Sequence, residues 1–199
     1  MKRVKALQAA FVACGLALAG SAMAGPSAEA LAYTCFGCHG TNGMSNGPAT
    51  PSLAGMAAPS LVETMENYKS GAANATIMNR IAKGYTTEQF KLMGDYFSKQ
   101  TFKPASQASD AKLAGKGAKL HDKYCEKCHS DGGGAAAAKE DEVGILAGQW
   151  KPYLHNTLTD FMNGSREMPK KMKKKLAKMH KKEGDAGLKA LVEYYGSAK

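Results

Sequence analysis

The sequence predicts an all-α protein made of two tandem domains related by an internal repeat. Two observations carry that expectation. First, no stretch of the 199 residues reads convincingly as a strand, whereas several carry helical spacing. Second, "YTCFGCHG" (Tyr33 to Gly40) returns as "KYCEKCHS" (Lys123 to Ser130), and other matches follow in the same order. "SLAGM" (Ser52 to Met56) pairs with "ILAGQ" (Ile145 to Gln149), Tyr68 with Phe161, Gly71 with Gly164, and "GDYF" with "VEYY". The offset is 90 at the cysteines, 93 at Leu53/Leu146 and Gly71/Gly164, and 98 at Tyr96/Tyr194.

Residues 1–24 read as a signal peptide. Lys2, Arg3 and Lys5 precede an apolar run, Ala9 to Ala19, and Ala22-Met23-Ala24 forms a small-x-small cleavage site. The run is too short for a comfortable membrane span. Cys14 in "FVACG" offers only a poor lipoprotein box, because Phe11 stands at its first position. The expectation is a soluble exported protein with no membrane span.

Each predicted domain then has the same helical plan. In residues 25–100, helices are expected at Ala28 to Thr34, Ser60 to Lys69 and Thr87 to Gln100. Thr86 and Gln89 form a capping box for the last of these. Residues 101–109, "TFKPASQAS", are a polar linker containing Pro104. In residues 110–199, helices are expected at Asp110 to Cys125, Lys151 to Asn163 and Asp185 to Ser197. Domains under about 100 residues bury too little surface for a strong core of their own. Something besides side chains has to fill them.

The cysteines say what. Beyond the leader they are Cys35, Cys38, Cys125 and Cys128, in two Cys-x-x-Cys pairs each followed by a histidine, His39 and His129. Disulfides within such pairs would close very short loops and leave the histidines without a role. A four-sulfur zinc site also leaves them idle. A thioredoxin-type pair needs a following helix, and Gly40 to Pro51 looks like loop. Cys-x-x-Cys-His is the attachment pattern of c-type haem: two thioethers at one edge of the macrocycle, with the next histidine as an axial ligand. Two such motifs after a signal peptide predict a dihaem c-type cytochrome with two covalently bound haem c groups.

The second axial ligand is expected to be methionine, which suits electron transfer. In the first half Met44, Met56, Met65, Met78 and Met93 are available. Met65 and Met93 lie on apolar helical stripes and read as core. Met78 follows the loop-like "SGAANAT" ahead of the last helix and is favoured. Its counterpart should carry an offset between 93 and 98; Met172 has 94, and Met168, at 90, is the alternative. His180 is a rival in a basic segment. His121 and His155 read as ordinary structural or surface histidines. A haem peroxidase would need an open iron site, which the paired methionines argue against.

Net charge is +10 for the chain and +7 without the leader, which carries three basic and no acidic side chains. The run "KKMKKKLAKMHKK" (Lys170 to Lys182) dominates it. Nucleic acid is a poor partner for an exported redox protein. A solvated face or a docking surface for an acidic partner remains. Trp150 and Tyr153 are expected either to pack on their own haem or to contribute to docking.

"AKLHDKYCEKCH", "ILAGQW", "TIMNRIAKGY" and "EGDAGLKAL" also resemble the cytochrome subunits of flavocytochrome c sulfide dehydrogenases, over essentially the whole mature chain. The resemblance implies two class I cytochrome c domains in a periplasmic subunit. It implies a flavoprotein (FAD) partner that oxidises sulfide and a soluble cytochrome that accepts the electrons. It implies His39/Met78 and His129/Met172 as axial pairs. The chain itself has no flavin-binding GxGxxG and no spare cysteine pair for sulfur chemistry. A free dihaem shuttle between a membrane complex and a terminal oxidase is the alternative.

Overall fold

The computed structural model describes residues 25–198. The signal-peptide reading of residues 1–24 lies outside them. The described residues are helical, with no strand; Ala73 and Arg166 form one isolated antiparallel bridge. No helix among them is long and apolar enough to cross a membrane.

In the first half, α1 (Ala28–Tyr33) and the short α2 (Phe36–His39) lead into a 3-10 turn at Thr41–Gly43. Then come α3 (Ala58–Ser70), α4 (Met78–Ala82) and α5 (Thr87–Ser98). Ser27 caps α1 by accepting from the Ala30 N–H. Thr86 and Gln89 close the expected capping box on α5. Leu31, Leu61, Phe90, Met93 and Phe97 form the core, and Phe90 and Phe97 are fully buried. Each such ring contributes about 2–3 kcal/mol of hydrophobic stabilisation.

The second half repeats the plan with α6 (Ala111–Tyr124), a 3-10 turn at Asp131–Gly133, α7 (Ala135–Glu140), α8 (Lys151–Asn163) and α9 (Lys170–Gly196). Asp110 caps α6. Its core joins Leu120, Tyr124, Leu154, Met179, Leu191 and Tyr195. The helix expected at Asp185 is present as the second segment of α9: Gly184, at φ 60° and ψ −158°, is non-helical and separates it from a helical segment formed by the basic run. Without a Cβ, Gly184 adopts that angle without steric cost, so the axis breaks while both segments stay on one core.

The repeat is visible in the backbone bonds. Leu53 and Ala54 N–H donate to Gly43 O, as Leu146 and Ala147 donate to Gly133 O. Gly55 N–H donates to Phe97 O, as Gly148 donates to Tyr195 O. Both "LAG" glycines have positive φ, 73° and 80°. Pro59 and Pro152 stand in the first turns of α3 and α8, where a missing N–H costs nothing.

The halves meet about an approximate two-fold relation. Asn74 N–H donates to Ser165 O, and Glu167 N–H donates to Ala72 O, each partner offset by 93 from its equivalent. Buried Gln149 bridges to the Ser52 backbone in both directions, at 3.0 and 3.1 Å. The linker is fastened between them: Ala105 N–H donates to Gly148 O, and the Gln107 amide pairs with Gln149 O and Lys151 N.

Candidate haem sites

The first site grows out of the α1–α2 junction. α1 ends at Tyr33, and Cys35 begins one further helical turn. Cys38 and His39 N–H both donate to Cys35 O, at 3.3 and 2.9 Å. Positions i, i+3 and i+4 of a turn share a face, so both thiols and the imidazole are presented together. Gly40 then reverses the chain at φ 74°, where a Cβ would collide with Met44 O. This carries residues 41–55 back to His39, whose Nδ1 donates to Pro51 O at 2.8 Å. That bond fixes the tautomer and leaves Nε2 as the free donor atom, the arrangement of a metal-ligating histidine. Burial holds the His39 pKa below its ordinary value, against a smaller opposing effect of Pro51.

Cys35 and His39 line a partly open cavity. Its other walls are mostly apolar, including Leu53, Met56, Leu61, Met65, Met93 and Phe97. Met78 lines it too; Met44 does not. Met65 and Met93 double as core residues, as expected. Met78 is not in a loop. It is the first residue of α4, and Asn79 beside it anchors the preceding turn. Asn79 accepts from Ala75 N–H and donates to Tyr68 O and Ala73 O. The sequence reading missed Asn79, whose only local signal is an amide next to a turn. An apolar cavity with two thiols at one edge, an imidazole of fixed tautomer and thioether sulfur on its wall fits a c-type haem.

The second site repeats the turn: Cys128 and His129 N–H donate to Cys125 O, each at 3.1 Å. Burial pushes both Cys35 and Cys125 thiol pKa values up. His129 differs from His39. Its buried Nδ1 has no partner among the described residues, and Gly144 stands where Pro51 stands in the first half. Burial lowers its pKa, with His121 adding to the effect. Met168, like Cys125 and Leu146, is partly buried against the second-half core. Met172 is half-buried in the first turn of α9.

The remaining histidines have local partners. His121 is fully buried between Tyr195 Oη at 2.9 Å and Glu126 at 2.5 Å. With both ring nitrogens engaged it is structural, although it sits with Asp122 and Glu126 in a cluster of metal-ligand types. His180 bonds Asp185 at 2.9 Å across the Gly184 break. His155 is exposed. Trp150 reaches across to the first half, while Tyr153 packs against the core of its own half and also faces the other one. Trp150 Nε1–H donates to Ser45 O, with its indole against Gly47, and Tyr153 lines the first-half cavity.

Comparison with known proteins agrees with this geometry. The family model "Cytochrome c" matches residues 27–108. The chain is 43% identical over 70 residues to the cytochrome subunit of sulfide dehydrogenase of Chlorobaculum tepidum. That match spans 35% of the chain and 62% of the relative's length, so the whole-chain resemblance to that subunit is not carried by this alignment. Cytochrome c4 of Pseudomonas aeruginosa is 31% identical over 157 residues, 74% of each chain. Among solved structures, reduced recombinant cytochrome c4 from Pseudomonas stutzeri superposes with a TM-score of 0.73 at 24% identity, over 88% of this chain and all of that one. The chain belongs to the cytochrome c family: it is a dihaem, cytochrome c4-like electron carrier of two tandem cytochrome c domains with two covalently bound haem c groups.

Proposed function

We propose that the chain is the exported electron-transfer subunit of a sulfide-oxidising flavoprotein complex. The observation that carries the redox reading is the first-half cavity, in which Cys35, His39 and Met78 share one mostly apolar wall. In this reading residues 1–24 are a cleaved leader and the mature protein is periplasmic. Domains span 25–100 and 110–199, joined by 101–109. Cys35/Cys38 and Cys125/Cys128 form the thioethers. His39/Met78 and His129/Met172 are the axial pairs. Met168 is the competing ligand, and it is partly buried against the second-half core, as Cys125 is.

When bound, each haem supplies a one-electron iron couple. The chain's own residues do the rest. Pro51 O holds His39 in one tautomer, and Asn79 pins the turn that carries Met78. Apolar walls exclude water, and low local polarity favours the less charged state of a redox centre.

The sulfide assignment is supported by the similarity to the Chlorobaculum tepidum subunit. Two one-electron centres can drain a two-electron flavin in successive steps. Apolar docking surface is available beside the first site, where Ile77 and Ile81 are 47% and 38% exposed and Ile81 also lines the cavity. The acceptor side is basic. Lys112, Lys116, Lys119 and Lys123 on α6 are exposed, as are Lys171, Lys174, Lys175, Lys178 and Lys182 on α9, the helix α6 packs against. An acidic soluble cytochrome fits that surface, and added salt should slow the encounter.

The longer similarity to cytochrome c4 favours a second reading, a free dihaem shuttle between a membrane complex and a terminal oxidase. One experiment separates them. The haem-loaded chain is mixed with sulfide and an oxidised acceptor cytochrome, with and without the flavoprotein encoded beside it. Turnover only with the flavoprotein, together with co-purification of the two, is expected. Turnover by this chain alone, or no binding, overturns the subunit reading.

A further inference from the structure

The first-half cavity is not closed by its own half. Tyr153, from α8, lines it together with Tyr68, from α3. Their hydroxyls influence each other: burial raises the Tyr68 pKa, the neighbouring Tyr153 raises it further, and Arg166 pulls it down. Arg166 lies behind this pair. Its guanidinium carbon is 5.7 Å from the Tyr68 ring centroid and 5.3 Å from that of Phe161. The Ala73–Arg166 bridge and its two flanking backbone bonds hold it between the halves. No carboxylate among the described residues lies within ion-pair distance of it. Asp160 acts on the guanidinium from beyond that distance, and Tyr153 and Tyr68 are beside it; a half-buried guanidinium carries five donors and a permanent charge, which a closely paired anion would satisfy.

The cofactor of this cavity brings carboxylates of its own, the two haem propionates. We propose that Tyr68, Tyr153 and Arg166 form a propionate-holding cluster for the N-terminal haem, so that side chains of the C-terminal half set that haem's reduction potential. The inference rests on the N-terminal haem being attached at Cys35 and Cys38. The cluster occurs once. At the equivalent positions, offset by 93, Tyr68 corresponds to Phe161, Arg166 to Ala73 and Tyr153 to Ser60. The C-terminal haem therefore lacks this set of donors. A fixed positive charge and two donors beside a propionate disfavour the added positive charge of ferric iron. The cluster thus raises the potential of one haem and not the other.

The test is a spectroelectrochemical titration of the full haem-loaded chain. The wave of the N-terminal haem is identified as the one lost in the Cys35→Ser/Cys38→Ser double variant. Arg166→Gln should lower that midpoint by roughly tenfold in the one-electron equilibrium, ~59 mV, and leave the other wave in place. Arg166→Lys should restore most of the shift, because it keeps the charge. Tyr153→Phe and Tyr68→Phe keep the packing and remove only a hydroxyl, so each should shift the same wave in the same direction by less. They also serve if Arg166→Gln does not fold. If the double cysteine variant keeps two haems, the attachment assignment fails and the cluster proposal with it. If it loses one haem, but the substitutions move neither wave or move both together, the cluster proposal alone is overturned.

Discussion

Residues 25–100 carry five basic and five acidic side chains; residues 110–199 carry 18 and 12. The two halves share a backbone plan down to individual hydrogen bonds, yet one is neutral and the other strongly basic. The contrast continues inward. His39 donates through Nδ1 to Pro51 O, while the buried Nδ1 of His129 has no partner among the described residues. A hydrogen bond from the far nitrogen makes an imidazole a stronger donor to iron. The comparison teaches what the duplicated unit holds constant and what it frees. The turn that presents two thiols and an imidazole is retained, because its geometry permits little else. The charge, the second shell of each histidine and the surface have diverged, and those determine which potentials and partners each haem has.

The sharpest way to test the equivalence of the halves is at the distal ligands. Met78→Ala should remove roughly half of the near-infrared sulfur–iron absorption of the ferric protein, since sulfur ligation is lost at one of two irons. Met172→Ala should remove the other half, and Met168→Ala should leave it intact. The reverse result for the last two would move the ligand to Met168 and put a three-residue break in the repeat between Arg166 and α9. High-spin iron in the unaltered protein would remove the His/Met reading from both halves.

The halves also differ in how closely their helices approach. A Cβ on Gly117 would run into Ala190 O and lie 2.6 Å from Tyr194 Cβ, where α6 crosses α9. The tightest contact of a Cβ on Gly94 is 3.0 Å, to Ala58 O. Gly117→Ala should therefore cost about 3 kcal/mol by forcing α6 from α9, and Gly94→Ala about 1 kcal/mol. Thermal melts of the haem-loaded variants read both. Equal losses would mean that the two helix packings are equally tolerant.

The glycines at such crossings show where the sequence is legible and where it is not. Both Cys-x-x-Cys-His turns, the Thr86–Gln89 box, the "LAG" turns and Met78 beside the first cavity are local patterns, set by residues a few positions apart, and they read directly. Gln149 and Arg166 do not. Gln149 bonds Ser52 across 97 residues, and nothing near either position announces the other. Tyr153 reads as an aromatic near its own motif, yet it serves the opposite cavity. The helix expected from Asp185 follows the non-helical Gly184, but that the segment before it packs through Met179 on the same core as Leu191 is not legible locally. Tertiary pairing between the halves is the information that local periodicity lacks.

A further contrast lies in how each half ties its last helix down. Among the described residues, only the second half has a partly buried ion pair. Glu193 receives both Lys151 Nζ contacts at 3.0 Å and the Asp110 N–H at 2.9 Å, linking α8, α9 and the start of α6. Burial raises the Glu193 pKa, but the Asp110 N–H and Lys151 outweigh it, and the net value lies below the ordinary 4.5. A depressed carboxyl contributes stability that is complete above its unfolded pKa and lost as pH falls through the folded value. Glu193→Gln should thus cost about 2 kcal/mol near neutral pH. The difference from the unaltered protein should shrink as pH drops below 4.5. A difference independent of pH would assign the loss to packing.

The smallest effect is expected at the corresponding helix of the first half, which is held by a cap rather than an ion pair. Thr86 Oγ1 accepts from Gln89 N–H at 3.2 Å, and Gln89 Oε1 accepts from Thr86 N–H at 2.9 Å. The box is solvent-exposed, so water replaces much of what a substitution removes. Thr86→Ala should cost about 1 kcal/mol, and Thr86→Ser, which keeps the hydroxyl, less than half of that. Neither should change the absorption of either haem, because α5 meets the first cavity through Met93 and Phe97, not through its first turn. A melt shift without a spectral change is the expected pair of readings. A change in the Met78 sulfur–iron band in Thr86→Ala would show instead that the turn between α4 and α5 transmits strain to the ligand. The route is short: the Tyr85 hydroxyl bonds Thr34 Oγ1 at 2.9 Å beside Cys35, and Lys69 Nζ donates to Tyr85 O.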